Sequence, residues 1–269
     1  MVTRQRSAVV GRAQASRGVR AAVRSGFAAS GLIHILIGFI AIRVAMGAGG
    51  AEADQSGALG QLAATPGGAF VLWAVFVGFA ALGLWLLVDA FLLPRGKAER
   101  RTAHMVTSFA KAIVYLALAA TAFSFARGGA TSSATSTNDA SKGLLSVPGG
   151  VIVLAIVGLG LFAVGGYLFV KGVRRRFVED LVLPRGNAGR ATIVLGVFGY
   201  LAKAVALGAV GTLFVVAAIT HNATEANGLD GALKSLATLP FGSVVLVAVG
   251  IGLIAYGLYS FVRARFAKL

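Results

Sequence analysis

The sequence predicts an all-α, polytopic membrane protein, with six transmembrane helices forming three tandem hairpin repeats in a pseudo-threefold arrangement about the membrane normal. Composition is the first observation behind this reading: of 269 residues, 57% are hydrophobic and only 13% charged, more apolar than a soluble domain can bury. The second is length, because six apolar runs each approach the roughly 20 residues that a bilayer-spanning helix needs. The third is repetition. One pattern, an apolar helix, a loop and a second apolar helix, returns three times in register.

The register is clearest at the loop exit. Pro66, Pro148 and Pro240 each open a long apolar run, with Leu62, Leu144 and Leu236 four residues before them. Further along each run come Gly68, Gly150 and Gly242, then Gly78, Gly160 and Gly252, then Ala81, Ala163 and Ala255, then Gly83, Gly165 and Gly257, then Trp85, Tyr167 and Tyr259. Each copy carries two spans, so all three enter the membrane in the same direction. Only an axis along the membrane normal can then relate them.

Taken in order, residues 1–25 form a basic tail carrying Arg4, Arg6, Arg12, Arg17, Arg20 and Arg24 without an acid. A secretory signal is the weaker reading of this end, because the following apolar run is too long and no small-residue cleavage site follows it. Repeat 1 covers residues 26–93, repeat 2 residues 106–176 and repeat 3 residues 192–265, with spans near 27–46, 69–92, 106–125, 151–170, 192–219 and 244–262. Backbone groups in lipid must be satisfied within the segment, so each run is a helix. Lysine and arginine crowd the tail, the linkers 89–101 and 171–190 and the carboxy-terminal end, while the loop 47–65 has no base. By the charge rule both termini face the cytosol of a bacterial inner (plasma) membrane. The linkers are themselves related, since Leu93-Pro94-Arg95-Gly96 recurs as Leu183-Pro184-Arg185-Gly186.

The loops on the other side carry a second pattern. Gly57-Ala58-Leu59 with Leu62 returns as Gly231-Ala232-Leu233 with Leu236, which places two leucines on one face of a short helix. Ser56 and Asp230 are the expected N-caps of these helices. The middle loop, 128–142, is rich in serine and threonine and reads as flexible.

With these residues assembled, the chain resembles the actinobacterial membrane family catalogued as domain-of-unknown-function family 1206. The likeness rests on a Gly-Ala-Leu-x-x-Leu-Ala-x-x-Pro-x-Gly loop exit and a Gly-x-x-Ala-x-Gly-x-aromatic helix, closest at 231–242 with 252–259 and partly lost in the second copy. The resemblance implies a six-helix bacterial inner-membrane protein. It carries over no catalytic or binding residue.

The residues themselves nominate few sites. Lys111 and Lys203 hold equivalent places in the third and fifth spans, with Ser30 at that place in the first and His34 one turn deeper. One reading makes them a ring of polar groups gating a central path; the weightier one lets the lysines snorkel to the inner headgroups and hydrogen-bonds His34 to a neighbouring helix. Asp89 is expected in a local ion pair, and Asp54, Asp139 and Asp230 as solvated caps. Gly78, Ala81, Gly160, Ala163, Gly252 and Ala255 form the expected packing face between helices, because positions kept alike in three copies serve contact rather than lipid.

Function is read mainly by exclusion. There is no cysteine, and the three histidines have no carboxylate or second histidine at metal-ligand spacing, so no catalytic residue, metal or cofactor is expected and the chain is not read as an enzyme. The net charge of +16 sits in short segments between apolar runs, which suits anionic lipid headgroups at the cytosolic face rather than nucleic acid. A structural or regulatory membrane module that binds lipid or a partner membrane protein is the leading expectation. A small channel or transporter built from three repeats is the alternative.

Overall fold

The hairpin is built around one tight turn, repeated three times. The computed structural model describes residues 17–48, 50–92 and 98–267. Its helices are α1 (Arg17–Ala45), α2 (Gln55–Ala63), α3 (Gly68–Leu92), α4 (Ala98–Ala126), α5 (Ser133–Leu145), α6 (Gly150–Val173), α7 (Asn187–Thr220), α8 (Gly228–Ala237) and α9 (Gly242–Phe266). Short 3-10 turns at Arg176–Asp180 and Ala223–Glu225 join them. All six long helices are apolar enough to cross a membrane, and the chain is a multi-pass membrane protein.

In each repeat a short helix runs into a proline and then into the second long helix. A Cβ on Gly68, Gly150 or Gly242 would fall on the carbonyl oxygen of Leu62, Leu144 or Leu236, so the leucine–glycine pairing read in the sequence is a backbone contact. The residue before that glycine takes left-handed backbone, at φ +77° for Gly67, +79° for Gly149 and +60° for Phe241.

The long helices pack in a threefold pattern. Each repeat's second helix packs on the first helix of the next: α3 on α4, α6 on α7 and α9 on α1. Gly83, Gly165 and Gly257 lie on this face, where a Cβ would meet Leu116, the Ala204 carbonyl and the Gly31 carbonyl respectively. Reciprocal glycine pairs tighten it, Gly31 with Gly257, Gly38 with Gly250 and Gly158 with Gly211. In lipid, where tails are as apolar as leucine, such close backbone approach is a main source of helix association.

The second class of contact, between the two long helices of one repeat, forms for α1 with α3 and α7 with α9, but α4 and α6 are not packed in this way. Around the bundle the order is therefore α4, α3, α1, α9, α7, α6, a ring with one open seam. This corrects the expected packing face in one copy. Gly78 approaches the Ser25 carbonyl, at 3.1 Å from an added Cβ, and Gly252 meets Ala202, but a Cβ added at Gly160 would find no atom of another helix within 4 Å among the described residues. Ala255 is buried and Ala81 half-buried, while Ala163 is exposed. The physical reason is the seam: the helix that would cover Gly160 and Ala163 is α4, and it stands apart.

At the end of the bundle opposite the basic linkers, the short helices close into a ring of their own. Asp230 accepts a hydrogen bond from the Ala53 amide at 2.8 Å, joining repeats 1 and 3. Ser132 donates to Glu52 at 2.6 Å and the Ser133 amide to Ser56 at 2.9 Å, joining repeats 1 and 2. Asn138 donates to the Ala223 carbonyl at 2.8 Å, joining repeats 2 and 3. Three expectations change here. The middle loop is the helix α5 rather than a flexible segment, capped by Ser132, which accepts from the Thr135 amide at 3.0 Å. The cap of α2 is Asp54 rather than Ser56, and Asp230 lies inside α8 behind Asn227. Asp54 and Asp230 are 1% and 5% exposed, so they are buried rather than solvated, whereas Asp139 is exposed beside Lys142.

At the basic end, α1 is already helical at Arg17, so residues 17–25 of the expected tail belong to that helix, and residues 1–16 and the first linker's Leu93-Pro94-Arg95-Gly96 lie outside the described residues. The second linker folds back under the bundle, where Phe177 is fully buried and the Val182 amide donates to the Phe266 carbonyl at 2.9 Å.

Candidate functional site

Tyr256, Tyr259 and Arg263 follow one another at three- and four-residue steps on α9 and so share one face of it. Tyr200 and Lys203 do the same on α7. These faces meet at the basic end, where Phe177 stacks on Tyr200 at 5.2 Å and meets Tyr259 edge-on at 5.3 Å. The Tyr200 and Tyr259 rings are 5.8 Å apart, both buried, and the Tyr259 hydroxyl sits beside that of Tyr200 without a well-formed hydrogen bond to it. Gly196 makes the cluster possible, since a side chain there would overlap the Phe177 ring.

Cations converge on these phenols. The Lys203 ammonium lies 4.2 Å from the Tyr256 ring centroid and the Arg263 guanidinium 4.4 Å from that of Phe27, both within cation–π range. Arg263 is within electrostatic reach of Tyr115, Tyr200, Tyr256 and Tyr259, and its Nε is buried without a hydrogen-bond partner. Lys111 on α4 is exposed and lies within electrostatic reach of the cations Arg263 and Lys171 and of the carboxylates Asp180 and Asp89. The neighbouring acids are engaged elsewhere: Asp180 accepts from Lys171 at 2.8 Å, while Asp89 lies 3.0 Å from His104 and accepts from Ser108 at 2.9 Å. Among the described residues no carboxylate pairs with Lys111, Lys203 or Arg263.

The three intramembrane candidates thus fall into one neighbourhood. Lys203 rests on a tyrosine face. His34 donates from Nδ1 to the Ser30 carbonyl at 2.7 Å, within its own helix rather than to a neighbour, and its ring lies 4.8 Å from that of Tyr256. Lys111 stands at the open seam. Asp89 is paired locally, but with His104 and Ser108 rather than with the lysines and arginines around it in sequence. Tyr200 and Tyr256 are not among the residues nominated from sequence, and Arg263 counts there only as one of the bases of the carboxy-terminal end; their three- and four-residue spacing with Lys203 and Tyr259 is the signal that marks them.

The arrangement is rich in donors and poor in acceptors. Guanidinium, ammonium and phenol groups gathered at low dielectric suit an oxyanion, with arginine offering a planar fork that fits phosphate. Among the described residues no three of His, Cys, Asp and Glu are grouped to hold a metal ion. Two cavities, of about 420 and 330 Å³, lie far from this cluster against the short helices, the first lined by Val44, Glu52 and Lys234 and the second by Ser141, Leu154 and Phe214.

The model of the family described as Domain of Unknown Function (DUF1206) matches the chain three times, at residues 25–92, 106–175 and 198–267. An uncharacterized protein of Bacillus subtilis (strain 168), YxxB, is 31% identical over 250 residues, which span 91% of this chain and 90% of that protein. No solved structure matches the chain.

Proposed function

The chain belongs to the DUF1206 family of Domain of Unknown Function proteins, and from that premise we propose that it is a structural or regulatory module of the bacterial plasma membrane, not an enzyme, that holds anionic lipid and a partner membrane protein. Its basic end faces the cytosol in this reading, supported by the lysines and arginines gathered in the tail and linkers. The observation that carries it is the group of three cations, Lys111, Lys203 and Arg263, with no carboxylate partner among the described residues at that end. Cations left unbalanced at headgroup depth are satisfied by the headgroups themselves. Nucleic acid fits less well, because these groups lie among membrane helices.

The threefold repeat favours the second reading, a small channel or transporter, since many carriers are built from repeated units. Lipid dependence tests the first reading. The purified chain is placed in bilayers of phosphatidylcholine alone and of phosphatidylcholine with phosphatidylglycerol, and its melting is followed by tryptophan fluorescence. The lipid-binding reading expects a Tm several degrees higher with the anionic lipid, an increment reduced by high salt. Equal Tm values in the two bilayers contradict it.

A further inference from the structure

The open seam between α4 and α6 joins three observations. The first is positional. In repeats 1 and 3 the face carrying Gly78 or Gly252 is covered by the first helix of the same repeat, whereas a Cβ on Gly160 would meet nothing within 4 Å among the described residues. The second is chemical: the seam is apolar along most of its length and basic at one end, where Lys111 stands on α4 and Lys171 on α6. The third is an unmet requirement, the buried Arg263 Nε without a hydrogen-bond partner among the described residues, on a guanidinium within electrostatic reach of Lys111 and of Tyr115, both on α4. Tyr167 sharpens the contrast. Its counterpart Tyr259 is fully buried in the tyrosine cluster, yet Tyr167 is 59% exposed.

From this juxtaposition we infer that the seam is the binding site of one anionic phospholipid of the leaflet at the basic end, its phosphate held by Arg263 and Lys111 and its acyl chain lying on Gly160 and Ala163. Lys171 is paired with Asp180, but Lys111 and Arg263 have no carboxylate partner among the described residues, and an apolar trough that ends in two such cations has the polarity of a phospholipid. A partner helix would satisfy the trough and leave the cations unpaired. A free phosphate would satisfy the cations and leave the trough bare. The inference rests on the lipid-binding reading above and adds the site.

The test uses the full chain in a neutral maltoside, with phosphatidylglycerol, phosphatidylcholine and inorganic phosphate as probes and binding counted by native mass spectrometry. Wild type is expected to retain one phosphatidylglycerol, to bind phosphatidylcholine at least about tenfold more weakly, and to keep its lipid in millimolar phosphate. Arg263→Gln and Lys111→Gln are each expected to weaken phosphatidylglycerol by about tenfold or more, and Gly160→Leu to weaken both lipids by filling the trough. Lys142→Gln, in the exposed part of α5, is expected to change neither. Should Arg263→Gln fail to fold, the exposed Lys111 and the open Gly160 still decide the matter. Equal binding of phosphatidylglycerol by wild type, Lys111→Gln and Gly160→Leu overturns the site while leaving lipid binding intact. Equal affinity for the two lipids overturns the lipid reading itself. Displacement by inorganic phosphate assigns the cations to a free anion, and a photoreactive residue at Leu159 that couples to a second copy instead of lipid assigns the seam to a dimer; either result overturns the inference.

Discussion

Asp54 shows how far a single residue can depart from its apparent role. It accepts from the Gly57 amide at 3.0 Å and from the Ser56 hydroxyl at 2.7 Å, so it caps α2, yet its Oδ2 is buried without a partner. Burial raises its pKa above the ordinary 3.8, with the nearby charges of Glu52 and Asp230 acting in the same direction against its hydrogen bonds. The folded state then binds more protons than the unfolded one between 3.8 and the raised value, so Asp54 makes stability fall as pH rises through that window and stay lowered above it. Asn keeps a capping oxygen without the charge. Asp54→Asn is therefore expected to melt at or above the wild-type temperature at pH 7, the difference closing below pH 4, while Asp54→Ala loses about 0.5–2 kcal/mol of cap; thermal melts between pH 3 and pH 8 check both. The sequence made Asp54 visible as one acid per loop. It could not show the burial, because that depends on Ala53, Ser56 and Asp230 meeting from two repeats 177 residues apart.

Helix faces divide by what covers them. Gly83, Gly165 and Gly257 are covered in all three repeats, and Gly78 and Gly252 in two, while Gly160 is bare. Leucine at Gly252 must displace α7 at Ala202, and overpacking of this kind costs about 1–3 kcal/mol. Gly160→Leu is expected to leave the melting temperature in detergent within about 1 °C of wild type, or to raise it, because leucine forms helix better than glycine by up to about 1 kcal/mol. Equal losses from the two variants would mean that α4 covers Gly160 after all. Register in the sequence made these glycines legible as a packing face, since three copies agree in residue type. It could not reveal that one copy of the face is unused, because the same glycine can serve a contact or merely survive from one. The short helices repeat the lesson in reverse: α5 forms without the leucine pattern of its counterparts, held by Ser132, Ser133 and Asn138 through bonds to the other two repeats.

At the scale of the whole molecule, two rings share one axis and only one of them closes. The short helices join all three repeats, whereas the long helices run from α4 round to α6 and stop. Six spans, their grouping in pairs and their threefold relation follow from hydropathy and spacing, both of which are local properties. The seam is a property of the assembly, and the tyrosine cluster beside its basic end draws residues from α1, α7, α9 and the second linker, with Lys111 of α4 within electrostatic reach. That is why the lysines and His34 were legible as candidates one by one and their common neighbourhood was not.

The open seam between α4 and α6 sets the shape of the bundle, and the absence of cysteine makes it directly measurable. Spin labels at Ile113 and Leu159 straddle the seam, and labels at Val205 and Ile251 occupy the equivalent exposed places on α7 and α9. Pulsed electron–electron distance measurements on the two doubly labelled chains, in bilayers containing phosphatidylglycerol, compare an open pair with a closed one. An open seam predicts a clearly longer separation for the Ile113–Leu159 pair than for the Val205–Ile251 pair. Two matching distance distributions would show a closed ring and contradict it.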